Sequence, residues 1–123
     1  MNETTITLSL SFLKSGIMSQ AEGMAVANYL ESVSGTSFIR SSVLISSNGP
    51  TVVPYGQVTV PGRCVFHNTD SNNNISLFNG SGGTAYQLLL PSSWHCLYLA
   101  PGVVLYGQAV TASVQLDYLL ISQ

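Results

Sequence analysis

The chain has 123 residues, of which 46% are hydrophobic and only 7% are charged, and its formal net charge is −2. Typical soluble domains carry about 25% charged residues. Three basic residues are too few to neutralise a row of phosphates, which excludes nucleic-acid binding as the main function. Because a surface with so few charges is poorly protected against association, we expect a homo-oligomer or a lattice component.

The chain begins with MNETTITLSL, which has an acidic residue near its start and alternating hydrophobicity instead of the apolar core of an export signal. No uninterrupted apolar run of about 18 residues follows, so neither a transmembrane helix nor a membrane partner is predicted. We expect synthesis in a cytoplasm, where two cysteines are more often free thiols than a disulfide.

The N-terminal third is predicted to be β-structure. Residues 4–13 alternate strictly, which is typical of a strand with one buried face, formed here by Ile6, Leu8, Leu10 and Phe12. Residues 24–33 would also permit a helical turn. Gly23 and the turn sequence SVSGTS bracket this segment closely, and we therefore interpret it as a strand.

Eight more strands are predicted in the rest of the chain, at 37–46, 51–60, 63–68, 75–80, 84–91, 94–100, 103–109 and 113–122. Pro54 indicates an edge position or a bulge in the second of them. Turns rich in Gly, Pro and Asn separate the strands at intervals of about 8–12 residues, a spacing typical of sandwiches and jelly rolls. We predict an all-β fold, an antiparallel β-sandwich of jelly-roll type, as a single domain over residues 1–123.

All cysteines and histidines lie in two short segments, CVFH (64–67) and WHC (94–96). Because strand side chains alternate, Cys64 and His67 project to opposite faces, and so do His95 and Cys96. Four ligands therefore do not converge as a tetrahedral metal site requires, and neither C-x2-C nor H-x3-H spacing occurs. We predict no metal site and no cofactor.

The same residues could also form a thiol active site. Cross-strand pairing could bring Cys64 near His95, or Cys96 near His67, but no carboxylate stands beside either pair to orient the imidazole. We therefore predict no catalytic residues and a protein that is not an enzyme. A disulfide between Cys64 and Cys96 stays open, while the pattern favours cysteines as small core residues and histidines near the surface.

The second half of the chain has a distinctive series of turns and strand endings. They are the pair Asn68 and Asp70, Leu90-Pro91, Ala100-Pro101-Gly102, Leu105-Tyr106, Ala109, Thr111-Ala112 and the ending Leu116 to Ile121. With these features, residues 65–123 resemble small structural proteins encoded among the head genes of tailed bacteriophages. The segment SSWHCLYL departs from that family, whose members usually carry more charge there.

The resemblance implies a virion component at the capsid surface, namely a capsid decoration or cement protein that binds the assembled head and stabilises it. Its partners would be the major capsid protein and copies of itself around a symmetry axis, as in a trimer. The family offers no active site to transfer. We expect subunit or capsid contacts in the first and last strands, because a strand near a terminus can add to a neighbouring sheet; the residues are Ile6, Leu8, Leu10, Tyr118, Leu119 and Leu120.

An alternative function is a receptor- or glycan-binding module of a virion spike or tail. Aromatic side chains would supply the stacking platform in that case, and the polar loop TDSNNN at 69–74 would supply hydrogen bonds. The aromatic residues considered for this role are Tyr55, Tyr86, Trp94 and Tyr98.

Overall fold

The computed structural model describes residues 2–6, 9–13, 21–25, 29–33 and 37–123. These residues form strands, turns and irregular segments, with no helix among them, so the prediction of an all-β chain is confirmed. Within this part of the chain, no helix is long and apolar enough to cross a membrane.

The chain divides into two compact units, Met1–Ser34 and Gly35–Gln123. The single domain predicted over residues 1–123 stays a prediction. The first unit contains four short strands, which form two antiparallel pairs: β1 (Asn2–Ile6) with β4 (Tyr29–Val33), and β2 (Ser9–Leu13) with β3 (Ala21–Ala25).

The register of the first unit places Ile6 opposite Tyr29 and Leu10 opposite Met24. Of the single strand predicted at 4–13, residues 4–6 lie in β1 and residues 9–13 lie in β2, which pair with different strands. Residues 7–8 are outside the described residues. The segment 24–33, for which a helical turn was an alternative, contributes to β3 and β4 instead.

The second unit, which we call the body, contains two antiparallel sheets of four strands each. The first sheet has the order β10-β7-β12-β5 and the second has the order β6-β11-β8-β9. The strands are β5 (Phe38–Ile45), β6 (Thr51–Val52), β7 (Pro61–Asn68), β8 (Ile75–Asn79), β9 (Ala85–Leu89), β10 (Trp94–Tyr98), β11 (Leu105–Ala109) and β12 (Val114–Ser122).

The hydrophobic core takes alternate residues from both sheets. Along β12, every second residue from Val114 to Ser122 is buried, as strand geometry requires for a strand with one inner face. The inner residues of β7, β8 and β11 belong to the same cluster, including Phe66, Leu77 and Leu105. Full burial of one such side chain stabilises the fold by about 1.5–3 kcal/mol, so the core is the main source of the body's stability.

The two sheets approach each other closely at Gly107. A Cβ atom at this position of β11 would lie 3.1 Å from Cδ1 of Ile45, a core residue of β5. Even alanine would therefore require Ile45 to move, which explains why glycine occupies this position in the middle of a strand.

The predicted strand at 51–60 was wrong beyond its first two residues. Only Thr51–Val52 pairs, with β11, because Pro54 lacks an N–H donor and Gly56 has a φ of 57°. The segment is nevertheless anchored from the inside. Val53 and Val58 are buried, and the hydroxyl of Tyr118 donates a hydrogen bond to the Pro54 carbonyl at 2.8 Å.

Candidate functional site

The two segments that hold the cysteines and histidines lie side by side on β7 and β10. The register places Trp94 opposite His67 and Leu97 opposite Cys64. The alternation predicted within each segment is confirmed by the burial along β7 and β10. The expectation that both cysteines are core residues holds for Cys64, which is buried on the inner face, and is wrong for Cys96, which is exposed on the outer one. Both thiols are free, and their positions on opposite faces exclude the disulfide that the sequence left open.

Cys64 lacks the properties of an activated nucleophile. Burial raises the pKa of its thiol to about 12, and its Sγ donates to the Gly62 carbonyl at 3.4 Å. His95, on the same face of the sheet, is held by Gln87 Nε2 at 3.2 Å and by Ser93 Oγ at 3.0 Å. The thiol stays protonated at neutral pH, so it does not supply the thiolate that nucleophilic chemistry requires.

The described residues also contain no group of three His, Cys, Asp or Glu side chains that could hold a metal ion. Within CVFH and within WHC, the cysteine and the histidine lie on different faces of the sheet.

The predicted contact residues of the closing strand are not at the surface. Tyr118 and Leu120 are 4% and 0% exposed and belong to the core, whereas Leu119 lies half-buried on the outer face. In addition, β12 lies between β7 and β5, so its backbone has no free edge. The prediction that this strand adds to a neighbouring sheet is therefore wrong. Ile6 and Leu10 lie in β1 and β2, and Leu8 is outside the described residues.

The aromatic residues considered for glycan stacking lie in three different places. Tyr55 packs against the core, and its hydroxyl donates to the Val103 carbonyl at 2.8 Å and accepts from the Leu105 N–H at 2.9 Å. Trp94 is exposed at one end of β10. Tyr86 and Tyr98 come together at the other end, where they line a recess of about 360 Å³. Partial burial raises the pKa of Tyr86 to about 12.

The outer face of the first sheet collects most of the body's charge. Residues 37–123 contain four charged side chains, and all except Asp70 lie here. The strand registers and the alternating burial define this charged face. Its residues are Trp94, Cys96 and Tyr98 on β10, Arg63, Val65 and His67 on β7, Gln115, Asp117, Leu119 and Ile121 on β12, and Phe38, Arg40, Ser42 and Leu44 on β5.

Two ring contacts organise the β10 side of the charged face. The imidazole of His67 stacks on the indole of Trp94, with ring centroids 4.0 Å apart and planes 7° from parallel. The guanidinium carbon of Arg63 lies 5.2 Å from the centroid of the Tyr98 ring, which is the distance of a cation–π contact.

A groove of about 560 Å³ runs across the charged face. Its lining combines an indole, two short apolar side chains and several hydrogen-bonding groups. Gln115 Nε2 donates to Asp117 Oδ1 at 3.3 Å, which joins two of the polar groups. The residues used below are Arg40, Ser42, Trp94, Gln115 and Asp117.

The outer face of the second sheet has the opposite character. It carries no charged residue, and we call it the neutral face. The register places Tyr106 between Val52 and Phe78, so an apolar row crosses three strands. Val52 and Leu88 are each 45% exposed. The face consists of Val52, Ser76, Phe78, Leu88, Tyr106 and Gln108.

The side chain of Asn68, the last residue of β7, holds the polar loop 69–74 in place. This amide is fully buried. Its Nδ2 donates to the carbonyls of Asn73 at 2.8 Å and Leu89 at 3.1 Å, and its Oδ1 accepts from the Asp70 N–H at 3.1 Å. Asp70 Oδ1 accepts from the N–H groups of Asn72 and Asn73, each at 2.7 Å. The loop thus uses Asp70 for its own structure, which leaves that carboxylate less available to a ligand.

No protein-family model, curated protein or solved structure matches the chain.

Sequence reasoning missed the charged face as a unit, because Arg40, His67 and Asp117 are far apart along the chain and only strand pairing unites them. It also missed the buried role of Asn68. The sequence could have predicted the burial of Asn68. This residue follows Cys64 and Phe66 at two-residue intervals on the same strand, so strand alternation places all three side chains on the inner face.

Proposed function

We propose that the protein is a non-enzymatic structural component of a bacteriophage particle, a capsid decoration or cement protein that binds the assembled head. The observation that carries the proposal is the exterior of the body. Across residues 37–123, eleven large hydrophobic side chains are exposed, against four charged side chains in the whole segment. A surface of this kind is suited to burial against other protein copies.

The proposed fold of the body is an eight-stranded jelly-roll sandwich. If β5 to β12 are counted as strands one to eight, the sheets have the orders 6-3-8-1 and 2-7-4-5, which is the strand order of a jelly roll with two Greek keys. The single cluster formed by the inner faces supports the packing of one sheet on the other. Jelly rolls occur in viral capsid proteins and in lectins, so this fold is compatible with the proposal without deciding the function.

The neutral face is the proposed contact surface. Burial of Val52, Phe78, Leu88 and Tyr106 against a partner requires no charge to be desolvated, whereas the charged face would lose the hydration of its ionised groups. Copies would meet around a symmetry axis, as in a trimer, and contact the major capsid protein through this face.

The first unit is part of the same proposal. A strand near a terminus can add to the sheet of a neighbouring copy or of the shell. Ile6 and Leu10 of this unit therefore remain proposed contact residues, and on β12 only Leu119 does.

The mechanism of stabilisation would be mass action. A protein that binds the assembled shell but not its dissociated subunits raises the free energy of disassembly as its sites fill. Each site contributes about 2.7 kcal/mol when the free protein is at 100 times its dissociation constant. Many such sites on one shell would make the effect large even for modest affinity.

The decisive experiment is co-sedimentation with the heads of the parent particle, together with light scattering on the pure protein. Leu88→Glu places a charge on the neutral face at a side chain that is 45% exposed, so the fold tolerates it and binding should fall at least tenfold. Ser81→Glu adds the same charge at the exposed turn after β8 and should bind normally. A protein that stays monomeric at high concentration and never sediments with heads would refute the proposal.

A further inference from the structure

The groove on the charged face combines the indole ring of Trp94 with several hydrogen-bonding side chains. Its lining carries one positive and one negative side chain. From this combination we propose that the groove is a binding site for a neutral oligosaccharide, with Trp94 as the stacking platform. This goes beyond the decoration function, because it uses the sheet opposite the neutral face and would give the protein a ligand of its own.

Trp94 is suited to stack on a sugar ring. It is 68% exposed, the most exposed of the large hydrophobic side chains in residues 37–123. Contact with the His67 ring at 4.0 Å covers one side of the indole and restrains its orientation before any ligand arrives. Restraint of this kind reduces the entropy lost on binding. The apolar C–H face of a pyranose can then pack on the aromatic surface that remains.

The polar groups of the groove match a polyhydroxyl ligand. Asp117 accepts hydrogen bonds, Arg40 donates them, and the hydroxyl of Ser42 does both. Gln115 already donates to Asp117 at 3.3 Å, which helps to hold the carboxylate in place for two adjacent sugar hydroxyls. Asp117 and Ser42 are direct neighbours in the register between β12 and β5.

The charge of the groove selects among ligand classes. Arg40 and Asp117 are the two ionised side chains of its lining, one of each sign, so the formal charges cancel. A phosphate or an acidic peptide would require an excess of basic groups, and a cation would require more carboxylates. A neutral saccharide requires neither.

The size of the groove is also suitable. Its volume of about 560 Å³ lies within the range of about 300–1,000 Å³ typical of small-molecule sites. The smaller recess beside Tyr86 and Tyr98 is a weaker alternative, because Gln87 and Asn79 in its lining already bond His95 and the Val104 N–H. The larger groove is therefore the site that we assign.

The test uses the fluorescence of Trp94, the only tryptophan in the chain. The full-length protein is titrated with maltotriose, chitotriose, mannotriose and galactotriose, and separately with inorganic phosphate. We expect a saturable change in emission with at least one trisaccharide and none with phosphate. Absence of a saturable response to all four sugars, or a response to phosphate alone, would overturn the proposal.

Variants then locate the binding site. Asp117→Asn should weaken the affinity for the responding sugar at least tenfold. Trp94→Ala should abolish binding, which is followed for this variant by saturation-transfer NMR of the sugar protons. The control is Tyr98→Ala, on the same strand and face but outside the groove lining, and it should bind as the unchanged protein does. Weaker binding by Tyr98→Ala with normal binding by Asp117→Asn would place the site elsewhere and reject the assignment.

Circular dichroism of each variant separates loss of the site from loss of the fold. Leu88→Glu separates the two proposals from each other. This substitution should weaken head binding at least tenfold and leave sugar binding intact, whereas Asp117→Asn should weaken sugar binding at least tenfold and leave head binding intact.

Discussion

The imidazole of His67 and the indole of Trp94 lie parallel on neighbouring strands, with centroids 4.0 Å apart and an interplanar angle of 7°. The two residues are 27 positions apart in the chain and are direct partners in the register between β7 and β10. Since β10 is an edge strand, this stack helps to secure the outermost strand of the first sheet.

We predict a measurable coupling energy between these two rings. In a double-mutant cycle of His67→Ala, Trp94→Ala and the double variant, urea unfolding followed by far-UV circular dichroism should give about 0.5–1.5 kcal/mol. A second cycle between His67 and Tyr98, which are not direct partners, is the control and should be close to additive. Additive effects in the His67–Trp94 cycle would show that the stack contributes nothing to stability.

Substitution of Asn68 should be far more damaging than its polar character suggests. Asn68→Ala removes the amide that donates to the Asn73 and Leu89 carbonyls, and the bond to Leu89 is buried. We expect a loss of about 2–4 kcal/mol in the free energy of unfolding. Asn72→Ala, in the same loop but exposed, should change stability by less than about 0.5 kcal/mol. Equal effects of the two substitutions would contradict the anchoring role of Asn68.

Strand alternation predicted the inner face of the body well where a strand is regular. Residues 113–122 became β12 with every second side chain buried, and Cys64 and Phe66 share the core as expected. The prediction of Tyr118 and Leu120 as contact residues was wrong, since they are 4% and 0% exposed. It followed from the position of the strand near a terminus and not from alternation, which places both residues in phase with the buried Val114 and Leu116.

The parts that the sequence did not predict depend on pairing between distant strands. The charged face requires β12 to lie between β7 and β5, and nothing local to Asp117 or Arg40 specifies that order. The prediction of a strand over residues 53–60 was wrong for a different reason. Its β-branched residues favour a strand, but Pro54 and Gly56 prevent regular pairing, and Val53 and Val58 are buried from an irregular backbone.

The structure of the loop around Asp70 should be stable at neutral pH and should loosen in acid. Hydrogen bonds from the N–H groups of Asn72 and Asn73 hold the pKa of Asp70 below its ordinary value of 3.8. The pKa of Asp70 is lower in the folded state than in the unfolded state. The ionised carboxylate therefore stabilises the fold fully when the pH is above the unfolded-state pKa. This stabilisation is lost as the pH falls through the folded-state pKa. The loop should therefore loosen only in acid, below pH 3.8.

NMR measures this directly through the amide resonances of Asn72 and Asn73. Both should shift with a common midpoint below 3.8. Asp70→Asn keeps an acceptor oxygen at the same position and should abolish the titration without disturbing the loop at neutral pH. A midpoint at or above the ordinary value would show that these hydrogen bonds do not favour the ionised carboxylate.

The two thiols should differ sharply in reactivity, because they lie on opposite faces of one sheet. Cys96 is exposed, whereas Cys64 is buried and its pKa is raised to about 12. We expect Ellman's reagent to label one thiol in the native protein and both in denaturant. Cys96→Ser should leave the native protein unlabelled over the same period, which identifies the reactive residue. Labelling of both native thiols at similar rates would mean that β7 is exposed far more often than a core strand should be.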